Sequence, residues 1–458
     1  MARLGLPRVV VAGLSGDAGK TLVSLGLTRA LRARGLRVAA FKKGPDFIDA
    51  AWLGIAAGRP GRNLDTFLMP REAILRSLAR AADQADVAVV EGNRGLFDGV
   101  DARGAHSTAE LAKMIGAPVV LVVDATKVTA TVAALVVGCR VHDPALNLAG
   151  VILNRVATVR HERVIREALA NVGVAVLGAV PRLEDLELPS RHLGLVTVTE
   201  HPAAEGVAAA LGKVIGEHVD VDALLGVVNG APLLEPEEFR EDAVVALPAT
   251  RIGVLEDAAF MFYYPENLEA LEAAGARLVR LSPLSAGGLP EVDLVYAGGG
   301  FPELYAGELS ANRPFREALA ARIADGLPVW AECGGLMYLA RTLVADGVAH
   351  PMAGVLPVVI SFTSRPKGHG YVVARVDGPN PFVREDTLLR GHEFHYSQVD
   401  EGGDRVRTVF ALERGVGVGG GRDGIVEKNV LATYMHVHAL GAPEWAPAVV
   451  AAARRGAW

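Results

Sequence analysis

The chain has 458 residues, 51% apolar and 21% charged, with a net charge of −6 and two cysteines. This composition excludes a largely disordered chain, a disulfide framework, a paired-CxxC zinc site and a Cys-ligated cluster. At about 150 residues per domain the length suits roughly two to four domains, and the scarce thiols make a reducing cytoplasm the expected compartment.

A mean hydropathy of +0.29 raises the question of a membrane span. The best candidate, between Ile115 and Cys139, is broken by Pro118, Asp124 and Lys127, and a span needs about 18 apolar residues or more. Arg3 and Arg8 before VVVAGLSG imitate a signal peptide, but that run is short and enters GDAGKT. With a pI near 6.1 no basic stripe for nucleic acid is expected.

Short apolar runs recur at 9–12, 38–41, 87–90, 119–123, 151–153 and 174–177. They are continuous, as in strands buried on both faces of a parallel sheet. Between the first two, Val23, Leu27, Ala30 and Leu31 share one helix face, and Gly35 is a stop signal. This predicts an open parallel α/β sheet with ligands at the carboxyl ends of its strands.

Residues 13–21 read GLSGDAGKT, between the first strand and the first helix. Gly16 and Gly19 would let backbone N–H groups cradle phosphate, Lys20 would reach the β/γ-phosphates, and Thr21 would meet Mg²⁺. Five residues rather than four separate Gly13 from Gly19. Asp17, unwelcome beside a triphosphate, is expected to point outward.

The loop KKGPDFIDAAW after the second strand gathers Lys42, Lys43, Asp46 and Asp49, a set suited to Mg²⁺ or substrate. Two acids end later strands, Glu91 and Asp124. Glu91 is favoured because it opens EGNRGLFDG, which also holds Arg94 and Asp98. Asp124 reads equally well as a helix cap. Asn154 is either a contact to an adenine edge or a satisfied strand end.

The pattern degrades between 216 and 250, where Pro232, Pro236 and Pro248 and the acidic EPEEFREDAV fall. A linker at 226–250 is expected between a domain of 1–225 and one of 251–458. A second βα series runs through 252–255, 277–281, 294–297 and 329–331, and the glycine cluster 415–424 reads as a turn between strands.

VWAECGGLMYL at 329–339 is a strand, a cysteine, two glycines and a helix, the pattern of a nucleophile elbow. The helix N-terminus is expected to lower the Cys333 thiol pKa. Gly299 and Gly300, in GGGFPE, would supply oxyanion N–H groups. His436 or His438 would be the base. Cys139 reads as an inert packed side chain.

Together these motifs resemble the glutamine-dependent cobyrinic acid a,c-diamide synthases. The carriers are GDAGKT, FKKGPDFIDAAW, RNLDTFLM, EGNRGLFDG, STAELAKMIGAPVVLVVDA, GVILNRV, LPSRHLGL, DAAFMFYYPENLE, GGGFPELYAGELS, AECGGLMYL, GHEFHYS and KNVLATYMHVHA. The resemblance implies an N-terminal dethiobiotin-synthetase-like P-loop domain and a C-terminal class I glutamine amidotransferase domain. It implies a ligase that uses ATP, Mg²⁺ and L-glutamine to amidate the a and c acetates of a corrin-type tetrapyrrole, cobyrinate or hydrogenobyrinate. Cys333 would be the glutaminase nucleophile, His436 its base, and Asp46, Glu91 and Asp98 the synthetase acids. Lys42, Lys43, Arg62, Arg94 and Arg191 would meet the carboxylates of a polycarboxylate substrate. No nucleic-acid or membrane partner is expected, and a homodimer stays open.

The chain departs from the family pattern at Leu14, Asp17, Asn93, Arg94, the segment RPKGHGYVVARV and His438, where a carboxylate is usual. These departures keep open the same reaction on sirohydrochlorin, its nickel chelate or sirohaem. A partitioning or scaffold P-loop ATPase is the rival of another class. It would carry a lysine where Ser15 stands and would lack the cysteine elbow. An inactive amidotransferase half, serving only to bind, is opposed by the intact Cys333 and His436.

Overall fold

The computed structural model describes residues 5–183, 190–191, 194–233 and 250–456. The chain divides into two compact units, Met1–Arg240 and Glu241–Trp458. Residues 226–229, expected in the linker, instead close the helix Val221–Asn229, whose N-terminus is capped by Asp220. Residues 234–249 lie outside the described residues.

The first unit is a seven-stranded sheet. Its strands are β1 (Arg8–Gly13), β2 (Val38–Lys43), β3 (Arg62–Leu64), β4 (Val87–Glu91), β5 (Val119–Asp124), β6 (Leu148–Val156) and β7 (Val176–Pro181). They lie in the order β3-β2-β4-β1-β5-β6-β7, and every neighbouring pair is parallel. This is the parallel α/β sheet expected of the continuous apolar runs. Strand order reverses at β1, so the crevice for a ligand opens at the carboxyl end of β1. There the chain turns through Gly19 into α1 (Lys20–Ala33).

Val23, Leu27, Ala30 and Leu31 of α1 are buried with Val9 and Val11 of β1 and Val89 of β4. Each buried valine or leucine contributes about 1.5–3 kcal/mol. On another side α1 packs closely on a second helix, Ala204–His218. A Cβ added at Gly26 would lie 2.3 Å from Ile215 Cγ1 and 2.7 Å from the Leu211 carbonyl oxygen. The helix ends near Gly35, which has φ +85°. Phe47–Ala57 forms α2, and the Asp46 side chain caps it by accepting from the Asp49 N–H at 2.8 Å.

The second unit is built on a ten-stranded mixed sheet. Its strands are β8 (Thr250–Leu255), β9 (Ala276–Leu281), β10 (Leu294–Ala297), β11 (Val329–Glu332), β12 (Gly368–Val376), β13 (Leu388–His395), β14 (Arg407–Arg414), β15 (Arg422–Glu427), β16 (Val430–Thr433) and β17 (His436–Val437). Their order is β9-β8-β10-β11-β16-β15-β14-β12-β13-β17. The first five run parallel and the rest antiparallel. Apolar clusters cover both faces, with Val295, Val329 and Leu336 in one and Ile252, Leu294 and Trp330 in the other. The glycine cluster after Arg414 turns β14 into β15, as its composition predicts. Among the described residues no helix is long and apolar enough to cross a membrane.

Candidate active sites

The first site lies at the carboxyl ends of β1, β2 and β4. In-register pairing places Lys42 and Val11 on either side of Glu91. The loop before α1 needs glycine at position 19. Its φ is +93°, and a Cβ there would lie 2.0 Å from Asn154 Nδ2. Lys20 is buried and curls back, with Nζ donating to the Ser15 and Gly16 carbonyls at 2.8 Å each. Burial, then the nearby Lys42, lowers its pKa to about 8. Asp17 is exposed, as expected.

Glu91 is the centre of this site. Its Oε1 accepts from Thr21 Oγ1 and from Lys42 Nζ, each at 2.7 Å. Lys42 also pairs with Asp49 at 2.5 Å. Its charge is thus held by acids of the protein. Burial disfavours the Lys42 ammonium, but Asp49, Glu91 and Asp46 outweigh that and raise its pKa. Burial raises the Glu91 pKa. Burial and the adjacent Asp49 push Asp46 up to about 7. Glu91 Oε2 is buried and meets no hydrogen-bond partner among the described residues.

This donor set suits Mg²⁺ shared with a nucleotide, because Mg²⁺ is bound by one or two carboxylates together with substrate phosphates. Among the described residues no group of three or more His, Cys, Asp or Glu is arranged to hold a metal.

The other candidates are placed as follows. Asp124 accepts from the Thr126 N–H and pairs with Arg155 at 2.6 Å, so it holds its own turn and an ion pair and does not cap the next helix, which starts behind Ala130. Asn154 Nδ2 donates to the Ala18 carbonyl at 3.0 Å and braces the phosphate loop from β6. Asp98 accepts from the Gly95 N–H of its own loop. Arg94 is exposed at φ +50° on that same loop. Lys43 is buried, 3.9 Å from Asp65. The Arg191 side chain and half of LPSRHLGL lie outside the described residues.

The second site is an elbow at the end of β11. Cys333 has φ +47° and ψ −96° at the start of the helix Gly334–Leu339. Such strain in a non-glycine residue is held only where packing over-determines it. A Cβ at Gly335 would lie 2.2 Å from the Ala297 carbonyl oxygen. The Cys333 N–H donates to the Thr433 carbonyl at 2.7 Å. The expected lowering of the thiol pKa is not what the structure shows. Burial, then the charge of Glu303, raises it, and the Gly334 N–H offsets this only in part. The six-residue helix is too short a dipole to outweigh complete burial.

The glycine turn after β10 spans the space between elbow and base. A Cβ at Gly299 would sit 2.5 Å from His436 Cε1 and 3.3 Å from Nε2. A Cβ at Gly334 would sit 3.1 Å from the Gly300 nitrogen, so that N–H lies beside the elbow. The Gly298 N–H is already used, donating to Tyr263 Oη at 2.7 Å.

Of the two candidate histidines, His436 faces this turn. His438 lies 3.8 Å from Glu266 and against the Tyr264 ring. His436 is delivered by a turn that Asp423 organises. The Asp423 carboxylate accepts from Thr433 Oγ1 at 2.7 Å and from the N–H groups of Tyr434 and Met435 at 3.1 and 3.2 Å. His392, opposite His436 in the β13–β17 register, stacks on its ring at 5.0 Å. Burial, then His436, holds His392 well below its ordinary range, so it is neutral.

Sequence reasoning passed over Glu332. Its Oε2 lies 3.2 Å from His436 Nδ1. The signal was an acid ending a buried apolar strand, which needs a partner to be tolerated there.

Comparisons with known proteins agree with this division. Residues 9–196 match the CobQ/CobB/MinD/ParA nucleotide binding domain. Residues 251–444 match the CobB/CobQ-like glutamine amidotransferase domain. The cobyrinate a,c-diamide synthase of Magnetococcus marinus is 44% identical over 449 residues, covering 96% of each chain. That of Archaeoglobus fulgidus is 42% identical, covering 95% of each. That of Dehalococcoides mccartyi strain CBDB1 is 38% identical over 95% of this chain and 96% of its own. Similarity to these synthases extends through the amidotransferase half, which the partitioning-ATPase reading leaves without a role. The chain belongs to the cobyrinate a,c-diamide synthase family, as a glutamine-dependent carbon–nitrogen ligase with a nucleotide-binding half and an amidotransferase half.

Proposed function

We propose that this enzyme amidates the a and c acetate carboxylates of a corrin-type ring, cobyrinate or hydrogenobyrinate, through acyl phosphates. One observation carries the reading: a phosphate loop wired to a buried carboxylate, Thr21 to Glu91, stands in the same chain as a cysteine elbow whose glycine turn touches a histidine.

A carboxylate does not expel oxide, so the acid must first be activated. A substrate carboxylate oxygen attacks the γ-phosphorus of ATP, ADP leaves, and an acyl phosphate forms. Lys20 and the N–H groups of its loop stabilise the transferring phosphoryl charge. Thr21, Glu91 and Asp46 would hold Mg²⁺, which when bound neutralises phosphate charge. Ammonia adds to the acyl carbon, phosphate leaves, and one proton is lost.

The second half supplies that ammonia. His436 takes the Cys333 thiol proton, and the sulfur attacks the side-chain amide carbon of glutamine. The Gly300 N–H faces the developing oxyanion. Ammonia leaves with a proton returned by His436, and water hydrolyses the thioester to glutamate. Two carboxylates require two cycles.

The test uses the purified enzyme with a panel of macrocycles, scored by mass gain per amidation. Cobyrinate or hydrogenobyrinate should gain two amides. Amidation confined to sirohydrochlorin, its nickel chelate or sirohaem overturns the substrate assignment. Cys333→Ala should lose glutamine-dependent synthesis and keep synthesis from ammonium salts. Full use of glutamine by that variant overturns the glutaminase assignment.

A further inference from the structure

In a cysteine–histidine pair the base must present one ring nitrogen to the thiol while a third group holds the other. Two residues after His436, where an orienting carboxylate would lie close in sequence, stands His438, directed to Glu266 and Tyr264. The carboxylate at His436 Nδ1 comes from Glu332, the residue immediately before the nucleophile.

Glu332 is almost completely buried, at 1% exposure. Three donors converge on it: Trp330 Nε1 on Oε1 at 2.8 Å, and Tyr296 Oη and His436 Nδ1 on Oε2 at 3.4 and 3.2 Å. A carboxylate only accepts, so Nδ1 carries the proton in this contact. That leaves Nε2 as the basic nitrogen, and Nε2 lies on the side of the ring facing Gly299. Other titratable groups about the pair include His392, neutral and stacked on the ring, Tyr296 on Glu332, and Glu303 and Asp423, both close enough to bear on the thiol.

We propose that Glu332 is the positioning residue of the glutaminase. It fixes the His436 tautomer and ring plane, and it stabilises the imidazolium formed when Cys333 is deprotonated. The proposal rests on the assignment of Cys333 and His436 given above and adds the third member.

The experiment measures glutamine hydrolysis by full-length enzyme as a function of pH, for wild type, Cys333→Ala, Glu332→Gln and Glu332→Asp. Glutamine keeps the length and an acceptor oxygen but removes the charge. Glu332→Gln should lower kcat by about 10²-fold or more, with the KM for glutamine near wild type. The acid limb of its pH profile should move to lower pH. Two effects give that sign: the imidazolium loses its counter-ion, and the thiol loses a nearby negative charge that disfavours its ionisation. Synthesis from ammonium salts should persist in the same preparation. Glu332→Asp should recover part of kcat and restore the acid limb towards wild type.

Wild-type kcat and an unmoved profile in Glu332→Gln, with Cys333→Ala inert, overturn the proposal while the glutaminase assignment stands. Glutaminase activity in Cys333→Ala overturns both. If Glu332→Gln also loses the ammonium reaction, Glu332→Asp decides: reduced kcat with ammonium synthesis retained supports the role, and wild-type kcat overturns it.

Discussion

Cys333 shows how burial and catalysis pull against each other at a single residue. A thiol at the start of a helix is expected to ionise easily. Here complete burial, Glu303 and Glu332 push it the other way. The sign for reactivity follows directly. Only the thiolate attacks an alkylating agent, so Cys333 in the resting enzyme should react with iodoacetamide more slowly at pH 7–8 than an exposed cysteine of pKa about 8.5. The rate should still be climbing above that pH. Peptide mass mapping after timed alkylation reads this, and Cys139, also buried and raised, should be slow as well.

The same contrast marks what the sequence could not convey about single residues. Lys42 reads as a loop cation awaiting substrate, yet it is 3% exposed and held by Glu91 and Asp49. Glu332 and His436 lie 104 positions apart, and no local spacing connects them. The turn through Gly19 was legible because its backbone requirement is contained in one short segment.

Among the elements, the α1 helix and its neighbour Ala204–His218 carry opposite predictions for the same kind of substitution. Gly26 lies where the two helices touch, and a Cβ there meets the Leu211 backbone oxygen at 2.7 Å. Overpacking costs about 1–3 kcal/mol, and removing a helix glycine returns about 0.5–1 kcal/mol. Gly26→Ala should therefore destabilise the enzyme. Gly216, on the partner helix, has nothing within 4 Å of an added Cβ. Gly216→Ala should stabilise by about 0.5–1 kcal/mol. Urea unfolding midpoints compare the pair.

Elements were more legible than residues. The strands β1, β4 and β5 are nearly unbroken valine runs, and their burial on both faces left little choice of structure. The helix Val221–Asn229 was lost among proline and acidic signals that belong to the residues after it.

On the scale of the whole molecule, the two chemistries are linked by ammonia, which at neutral pH is mostly protonated and inert in bulk solution. Mixing two crippled enzymes tests whether one chain must both make and use it. Cys333→Ala keeps the nucleotide half, and Glu91→Gln keeps the glutaminase half. Supplied with glutamine and no ammonium salt, the mixture should remain far below wild type. Near-full recovery would show that ammonia passes freely between molecules. The division into two halves was legible because each half opens with its own βα series. The division between Arg240 and Glu241 falls inside the stretch read as a linker, although the helix before it runs on to Asn229.

The placement of Glu332 has a consequence for how such a site can be inherited. Acid and nucleophile are successive residues, the last of β11 and the first of the elbow, so they travel as a block. Insertions anywhere in the loops between β11 and β16 leave their spacing intact. Those loops can therefore lengthen without separating Glu332 from Cys333, and on the proposed role of Glu332 position 438 is left to follow the packing of Glu266 and Tyr264.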